Sequence, residues 1–230
     1  MANGWGATLP DEILEKIAAK LVMHESDVAA ARLVCKRWSD AVPNAVKSLD
    51  VEGEIPDGPL SRSLSSLESL TWTYGIYSPS FAPPRSLKVL EVRYAVPSGS
   101  LKHLALGFPD IESLVINRVP LTCRGGYDLS PLASLTALKS LSLLIGNRLG
   151  YPGDHPIQAI LGLEKLTNLT TLRLQDDYMV ALPQAVFQLT RLESLDLRGC
   201  SEFRAPTGLE RLPRLTHIDM NGCFKLFWPV

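Results

Sequence analysis

Apolar residues recur along most of the chain in one fixed spacing. An apolar residue is followed by two free positions, an apolar residue, one free position and a further apolar residue, as in Leu192, Leu195 and Leu197. Eight such hexamers begin at positions 46, 67, 87, 111, 138, 169, 192 and 215. The last two apolar positions are two residues apart, so on a strand they point to the same side, and the residue between them points to the other. Each hexamer therefore predicts a short strand with one buried face.

The hexamers follow one another at intervals of 21, 20, 24, 27, 31, 23 and 23 residues. This arrangement resembles leucine-rich repeat proteins, whose units span roughly 20–29 residues around the core L-x-x-L-x-L. The resemblance covers about four fifths of the chain. It implies an α/β fold, a solenoid of about eight short parallel strands joined by irregular or helical return segments. Stacking the strands would bury their apolar sides in one continuous core.

Two segments rich in glycine, proline and aspartate interrupt the repeats, at 121–131 and 147–157. Insertions into a solenoid lie along one edge and often bind partners. A surface loop that is merely tolerated is an equal alternative, and both stay open. After the last hexamer, the apolar stretch 227–229 is suited to covering the final strand, because terminal repeats need a cap.

Residues 1–43 follow a helical pattern instead. Apolar residues at helical spacing occur at Ile13, Leu14, Ile17 and Leu21. A second helical stretch follows Ser26 and ends at Pro43, since proline cannot continue a helix. Helices this few and short cannot bury a core alone. We therefore predict a helical domain at 1–43 and a repeat domain at 44–230.

Both ends of the helical domain carry a recognisable motif. The first is Leu9-Pro10-Asp11-Glu12-Ile13-Leu14, and the second is Val34-Cys35-Lys36-Arg37-Trp38. Together they closely resemble an F-box, with its L-P-x-E-[IL]-[IL] start and V-C-[KR]-x-W close. The resemblance to F-box/leucine-rich repeat proteins implies docking onto a Skp-type linker protein and, through it, onto cullin and RING subunits of a ubiquitin ligase. The residues it implies for the linker contact are Leu9, Pro10, Ile13, Leu14, Ile17, Leu21, Val34, Cys35 and Trp38.

The free positions in and directly after each hexamer are predicted to form the concave surface, where a target protein would bind. They are expected to face solvent, so that Asp196→Ala would cost less than about 0.5 kcal/mol. Their mixed charges do not identify a target. The candidate target-binding residues are Glu91, Arg93, Val115, Ser142, Arg173, Gln175, Asp196, Arg198, His217 and Asp219.

The cysteines favour a structural role. Cys200 and Cys223 each follow a hexamer by three residues, where leucine-rich repeats commonly carry asparagine or cysteine. At that position the side chain is expected to bond turn backbone inside the coil. The sequence has no C-x-x-C pair and no G-x-S-x-G or H-E-x-x-H motif. We therefore expect neither metal, cofactor nor catalysis.

Composition narrows the class of partner. The 230 residues carry a formal net charge of −1, which argues against nucleic acid. No apolar run approaches the ~18 residues of a membrane span, and the first residues lack a secretory pattern. We expect an intracellular protein, cytoplasmic or nuclear. Two functions stay open: the substrate-recognition subunit of a Skp–cullin–F-box ubiquitin ligase, or a non-enzymatic leucine-rich repeat scaffold, perhaps cytoskeletal, with a helical cap.

Overall fold

A computed structural model describes residues 22–24, 45–52, 64–74, 83–119, 127–145, 160–204 and 207–226. The chain divides into two compact units, Met1–Arg93 and Tyr94–Val230. The predicted boundary between residues 43 and 44 lies outside the described residues and stays a prediction. Among the described residues, no helix has the length and apolar character that crossing a bilayer requires.

The first unit contains four parallel strands that pair in chain order. They are β1 (Val22–His24), β2 (Ser48–Glu52), β3 (Ser69–Tyr74) and β4 (Val89–Ala95), the last of which begins in this unit. β2, β3 and β4 coincide with the first three hexamers, and the apolar residues at their centres are buried. β1 was not predicted, because it lies where the helical stripe of the N-terminal domain was expected to end. A strand can join an open sheet edge through backbone bonds alone, without a repeat pattern.

The second unit contains the other five repeat strands. In chain order its strands are β5 (Ser113–Arg118), β6 (Tyr127–Asp128), β7 (Ser140–Leu144), β8 (Ile160–Leu161), β9 (Thr171–Gln175), β10 (Ser194–Asp196) and β11 (His217–Asp219). β5, β7, β9, β10 and β11 pair in parallel in that order and coincide with the last five hexamers. All eight predicted repeat strands are therefore present, and the predicted leucine-rich repeat fold is confirmed.

The strand register aligns the hexamer leucines in rows. Leu114 pairs with Leu141, Leu141 with Leu172, and Leu172 with Leu195. Each of these four side chains is at most 1% exposed. Because every repeat contributes the same position to the row, neighbouring repeats bury one another's apolar face.

The turn before each strand repeats as well. The N–H of Leu169 donates to the carbonyl of Leu166, three residues earlier, and the turns before β7 and β10 have the same bond. The carbonyl of Glu112 accepts from the N–H groups of both Lys139 and Ser140 in the next repeat. The side chains of Lys139 and Glu112 also meet at 2.7 Å. Backbone bonds thus hold successive repeats in register, and exposed ion pairs add little to them.

The return segments are short helical turns, as predicted. The second unit has one α-helix, Leu101–Gly107, within its described residues. Its 3-10 turns, within the same residues, are Ser98–Ser100, Ser130–Ser134, Leu163–Lys165, Gln184–Gln188 and Leu209–Arg211. Buried apolar residues on them, such as Leu132 and Leu163, close the core on the side away from the repeat strands.

β6 and β8 form a separate two-stranded parallel sheet. β6 lies within the first predicted insertion and β8 follows the second, so the two insertions rejoin the fold side by side. Tyr127 of β6 is buried and donates its hydroxyl to the carbonyl of Val96 at 2.9 Å. Residues 120–126 and 146–159 lie outside the described residues, so the role of the insertions stays a prediction.

Candidate protein-interaction surface

The candidate target-binding residues of the second unit lie on the strand side opposite the leucine rows. Register aligns Val115 with Ser142, Ser142 with Arg173, Arg173 with Asp196, and Asp196 with Asp219. Four of the candidates, on the last three repeats, form what is called here the charged strip, namely Arg173, Asp196, Arg198 and Asp219.

The charged strip is a chain of ion pairs of alternating sign. Nε of Arg173 lies 3.5 Å from Oδ2 of Asp196, and Nη2 of Arg198 lies 2.7 Å from the same oxygen. Nε of Arg198 then lies 3.4 Å from Oδ2 of Asp219. The two arginines and two aspartates cancel in formal charge.

Arg173 is held more firmly than an ordinary surface arginine. Its Nη2 donates to Oε1 of Gln175 at 2.9 Å. Its Nε is buried and has no hydrogen-bond partner among the described residues. The guanidinium is therefore fixed between Gln175 and Asp196, and its side chain is only 33% exposed.

Asp196 corrects the prediction that every face position is solvated. Its side chain is only 16% exposed, because the arginines on β9 and beyond β10 cover it. The N–H of Arg198 also donates to Oδ1 of Asp196 at 3.0 Å. Burial raises the pKa of Asp196, but the hydrogen bonds from Arg198 and the charges of Arg173 and Arg198 outweigh it, and the pKa is lowered overall. This aspartate is a structural anchor of the strip.

Ser142 is the second correction. It was predicted to face solvent, but it is only 9% exposed. Its small side chain stands in register between two larger residues, Val115 and Arg173, on the adjacent strands. Val115 and Gln175 are half-buried, whereas Arg198 and His217 are exposed as predicted.

The two candidates on β4 belong to the first unit. Nε of Arg93 donates to Oε1 of Glu91 at 2.9 Å. The hydrogen bond and the charge of Glu91 raise the pKa of Arg93. Asp50 of β2 lies in the same register row as Glu91, with Thr71 between them. This part of the surface is more acidic than the charged strip.

The cysteines occupy the predicted structural position. The thiol of Cys200 donates to the carbonyl of Leu174 at 3.3 Å, and that of Cys223 to the carbonyl of Leu197 at 3.2 Å. Burial raises the pKa of Cys200 to about 12 and also raises that of Cys223. Both thiols are therefore neutral and unreactive near pH 7. Within the described residues, no cluster of His, Cys, Asp and Glu could hold a metal ion.

Sequence reasoning missed Asp176, which takes the cysteine position in the preceding repeat. The N–H of Met179 donates to the carbonyl of Asp176, just as the N–H of Phe203 donates to that of Cys200. Asp176 is only 6% exposed, and its Oδ1 accepts from the N–H of Tyr178. Asp176 follows the last apolar residue of its hexamer by two residues, whereas Cys200 follows its own by three. Counting three residues from the hexamer therefore misses Asp176.

The predicted linker contacts fall in the N-terminal segment. All nine lie outside the described residues: Leu9, Pro10, Ile13, Leu14, Ile17, Leu21, Val34, Cys35 and Trp38. The structure therefore does not test where these side chains lie. Up to residue 44, the structure describes only the backbone of β1 in this segment.

The parallel strands and their rows of buried leucines define a leucine-rich repeat protein. Residues 7–46 match the F-box-like family model, which spans both motifs of the N-terminal segment. The predicted resemblance is therefore confirmed: the chain combines an F-box-like segment with leucine-rich repeats.

Three bacterial repeat proteins are among the similar solved structures. An internalin of Listeria monocytogenes is 18% identical over 83% of this chain and 55% of its own, with a TM-score of 0.43. Internalin C2 of the same organism is 17% identical over 87% and 83%, with a TM-score of 0.44. A leucine-rich repeat protein of Leptospira interrogans is 16% identical over 92% and 57%, with a TM-score of 0.47. A search of curated proteins found no match.

Proposed function

We propose that this chain is the substrate-recognition subunit of a Skp–cullin–F-box ubiquitin ligase. The match of residues 7–46 to the F-box-like family carries the proposal. In it, the N-terminal segment docks onto a Skp-type linker, and the linker connects the chain to cullin and RING subunits. The work takes place inside the cell, in the cytoplasm or nucleus. This chain needs no catalytic group or cofactor of its own, because a recruited enzyme transfers the ubiquitin.

The repeat surface supplies the target-binding side of the proposal. Arginine is enriched among the residues that dominate interface energies, and the charged strip presents two. Arg173 is already held by Gln175 and Asp196, and Arg198 by Asp196 and Asp219. Binding a partner therefore costs less side-chain entropy than it would for free arginines.

One observation favours the second candidate, a leucine-rich repeat scaffold whose N-terminal segment is a cap. β1 lies inside the F-box-like segment, and it pairs in parallel with β2, the first repeat strand. A segment joined to the sheet in this way covers the sheet edge, as a cap does. The two candidates differ in what the apolar residues at the start of the segment contact.

Co-purification with a Skp-type linker tests the proposal. The 230-residue chain is co-expressed with the linker, and the double variant Leu9→Ala/Pro10→Ala is compared with it. We expect the original chain to retain the linker and the double variant to lose it while its melting temperature stays nearly unchanged. A double variant that melts well below the original chain, with no linker bound to either, would favour the scaffold and overturn the ligase proposal.

A further inference from the structure

The strand β1 occupies the place of a repeat strand. Met23 of β1 pairs in parallel with Leu49, and Leu49 pairs with Leu70, so β1 stands next in the same row of strands. Val22 lies 26 residues before its register partner Ser48, and successive hexamers are 20 to 31 residues apart. The F-box-like segment therefore supplies a strand at the spacing of the repeats.

The repeat sequence itself is missing around β1. At the same offset of 26 residues, Lys20 and Glu25 correspond to Val46 and Val51, the first and last apolar positions of the first hexamer. The middle position, Met23, is the apolar one of the three. Because the pattern that buries the other repeat strands is absent, β1 is held in the row by its backbone pairing with β2.

The F-box-like segment is attached to the repeats at two places. β1 lies within residues 7–46, and Val46 at the end of this range is the first residue of the first hexamer and is 0% exposed. The compact unit Met1–Arg93 contains the segment together with β2 and β3. The predicted linker contacts lie on both sides of β1 in the sequence, with Leu21 directly before it and Val34, Cys35 and Trp38 after it.

We propose that β1 positions the linker-binding segment: its pairing with β2 fixes the segment to the first repeat, and linker binding in turn stabilises that repeat. This positioning role rests on the ligase proposal, since it concerns the same linker site. Pairing of Val22 with Ser48 fixes the backbone next to Leu21. A linker that binds only the paired arrangement stabilises it, and such coupling is reciprocal. One segment then both caps the repeat sheet and binds the linker.

Hydrogen exchange of the 230-residue chain, alone and with a Skp-type linker, tests the coupling. With the linker at about a hundred times its dissociation constant, exchange of the β2 amides should slow by about tenfold or more. β2 lies outside the F-box-like segment, so this protection reports the repeat rather than the segment itself. Unchanged exchange at β2 while the linker is bound would overturn the proposal, because the segment would then be a separate domain.

Val22→Pro/Met23→Pro breaks the pairing from the side of β1. Successive residues of a strand direct their N–H groups to opposite edges, so one of the two prolines removes a donor that faces β2. Neither residue is a predicted linker contact. Linker affinity should fall by at least about tenfold, because the binding-competent arrangement is then populated less than about a tenth of the time. Protection of β2 by the linker should be lost as well.

Val22→Ala/Met23→Ala is the matched control, since it shortens the same side chains and keeps both N–H donors. It should bind the linker nearly as the original chain does. Exchange at β9 shows whether the second unit of each variant is folded. If the proline variant is unfolded throughout, the exchange of β2 in the original chain decides.

Two results with the variants would contradict the positioning role and leave the ligase proposal standing. One is a folded proline variant that binds the linker as tightly as the alanine variant. The other is an alanine variant that loses the linker too, because side chains rather than pairing would then hold it. An original chain that binds no linker would overturn the ligase proposal, and the positioning role with it.

Discussion

At the scale of single residues, position within the repeat sets the cost of truncation. Leu195→Ala should lower the free energy of unfolding by about 2–5 kcal/mol, because it removes a side chain from a fully buried row. Ile218→Ala is the matched control, since it removes a side chain from the same row at 37% exposure. Chemical denaturation measures both, and Ile218→Ala should cost less than Leu195→Ala. Equal losses would contradict the link between burial in the row and the cost of truncation.

Asp196→Ala should cost more than its surface position suggested from sequence. The carboxylate accepts from the backbone and side chain of Arg198 and pairs with Arg173. We expect a loss of about 1–2 kcal/mol near pH 7, because hydrogen bonds to charged groups exceed exposed ion pairs.

The pH dependence of that loss has a definite sign. The pKa of Asp196 is lowered in the folded chain. Its stabilising contribution is therefore complete above the unfolded aspartate pKa of about 3.9 and disappears as the pH falls through the lower folded value. The free energies of unfolding of the original chain and of Asp196→Ala, measured from pH 7 down to pH 3, should converge as the pH falls. A constant difference would mean that the charge of Asp196 is not what stabilises the strip.

The face positions were identifiable from sequence, but their environments were not. The hexamer spacing places Ser142 and Asp196 on the correct side of their strands. Whether such a side chain is solvated depends on residues some 20–30 positions away, in the neighbouring repeats. Arg173 pairs with Asp196 and stands in register beside Ser142, and nothing in the local sequence of either residue indicates this.

At the scale of elements, a glycine allows two return segments to pack closely. Gly162 has a φ of +79°, and a Cβ there would lie 2.5 Å from the backbone nitrogen of Ser130. Gly162→Ala should therefore destabilise the chain by about 1–3 kcal/mol through backbone strain and the clash. Gly99→Ala is the control, because no atom lies within 4 Å of its added Cβ. A melting temperature unchanged in Gly162→Ala would show that the segments are not packed this closely.

The elements divide into those that side-chain pattern predicts and those that it does not. The eight repeat strands were predictable because each carries two apolar residues at a spacing of two, within a hexamer that recurs along the chain. β1, β6 and β8 are only two or three residues long. They are held by pairing to a neighbouring strand, so too few residues carry a periodic pattern to reveal them.

At the scale of the whole molecule, two surfaces are proposed to bind two different partners. The F-box-like segment at 7–46 is proposed to bind the linker, and the repeat surface is proposed to bind the target. These surfaces use different residues, so variants in one should leave the other intact.

The dissociation constant for a Skp-type linker tests the central claim most directly. Calorimetry would compare the 230-residue chain with Leu9→Ala/Pro10→Ala and with Arg198→Glu, a variant of the charged strip. Each buried apolar side chain contributes roughly 1.5–3 kcal/mol, so losing two should weaken linker binding by about a hundredfold or more. Arg198→Glu should bind the linker as the original chain does. Equal affinity of all three proteins, or no binding by the folded original chain, would contradict the account.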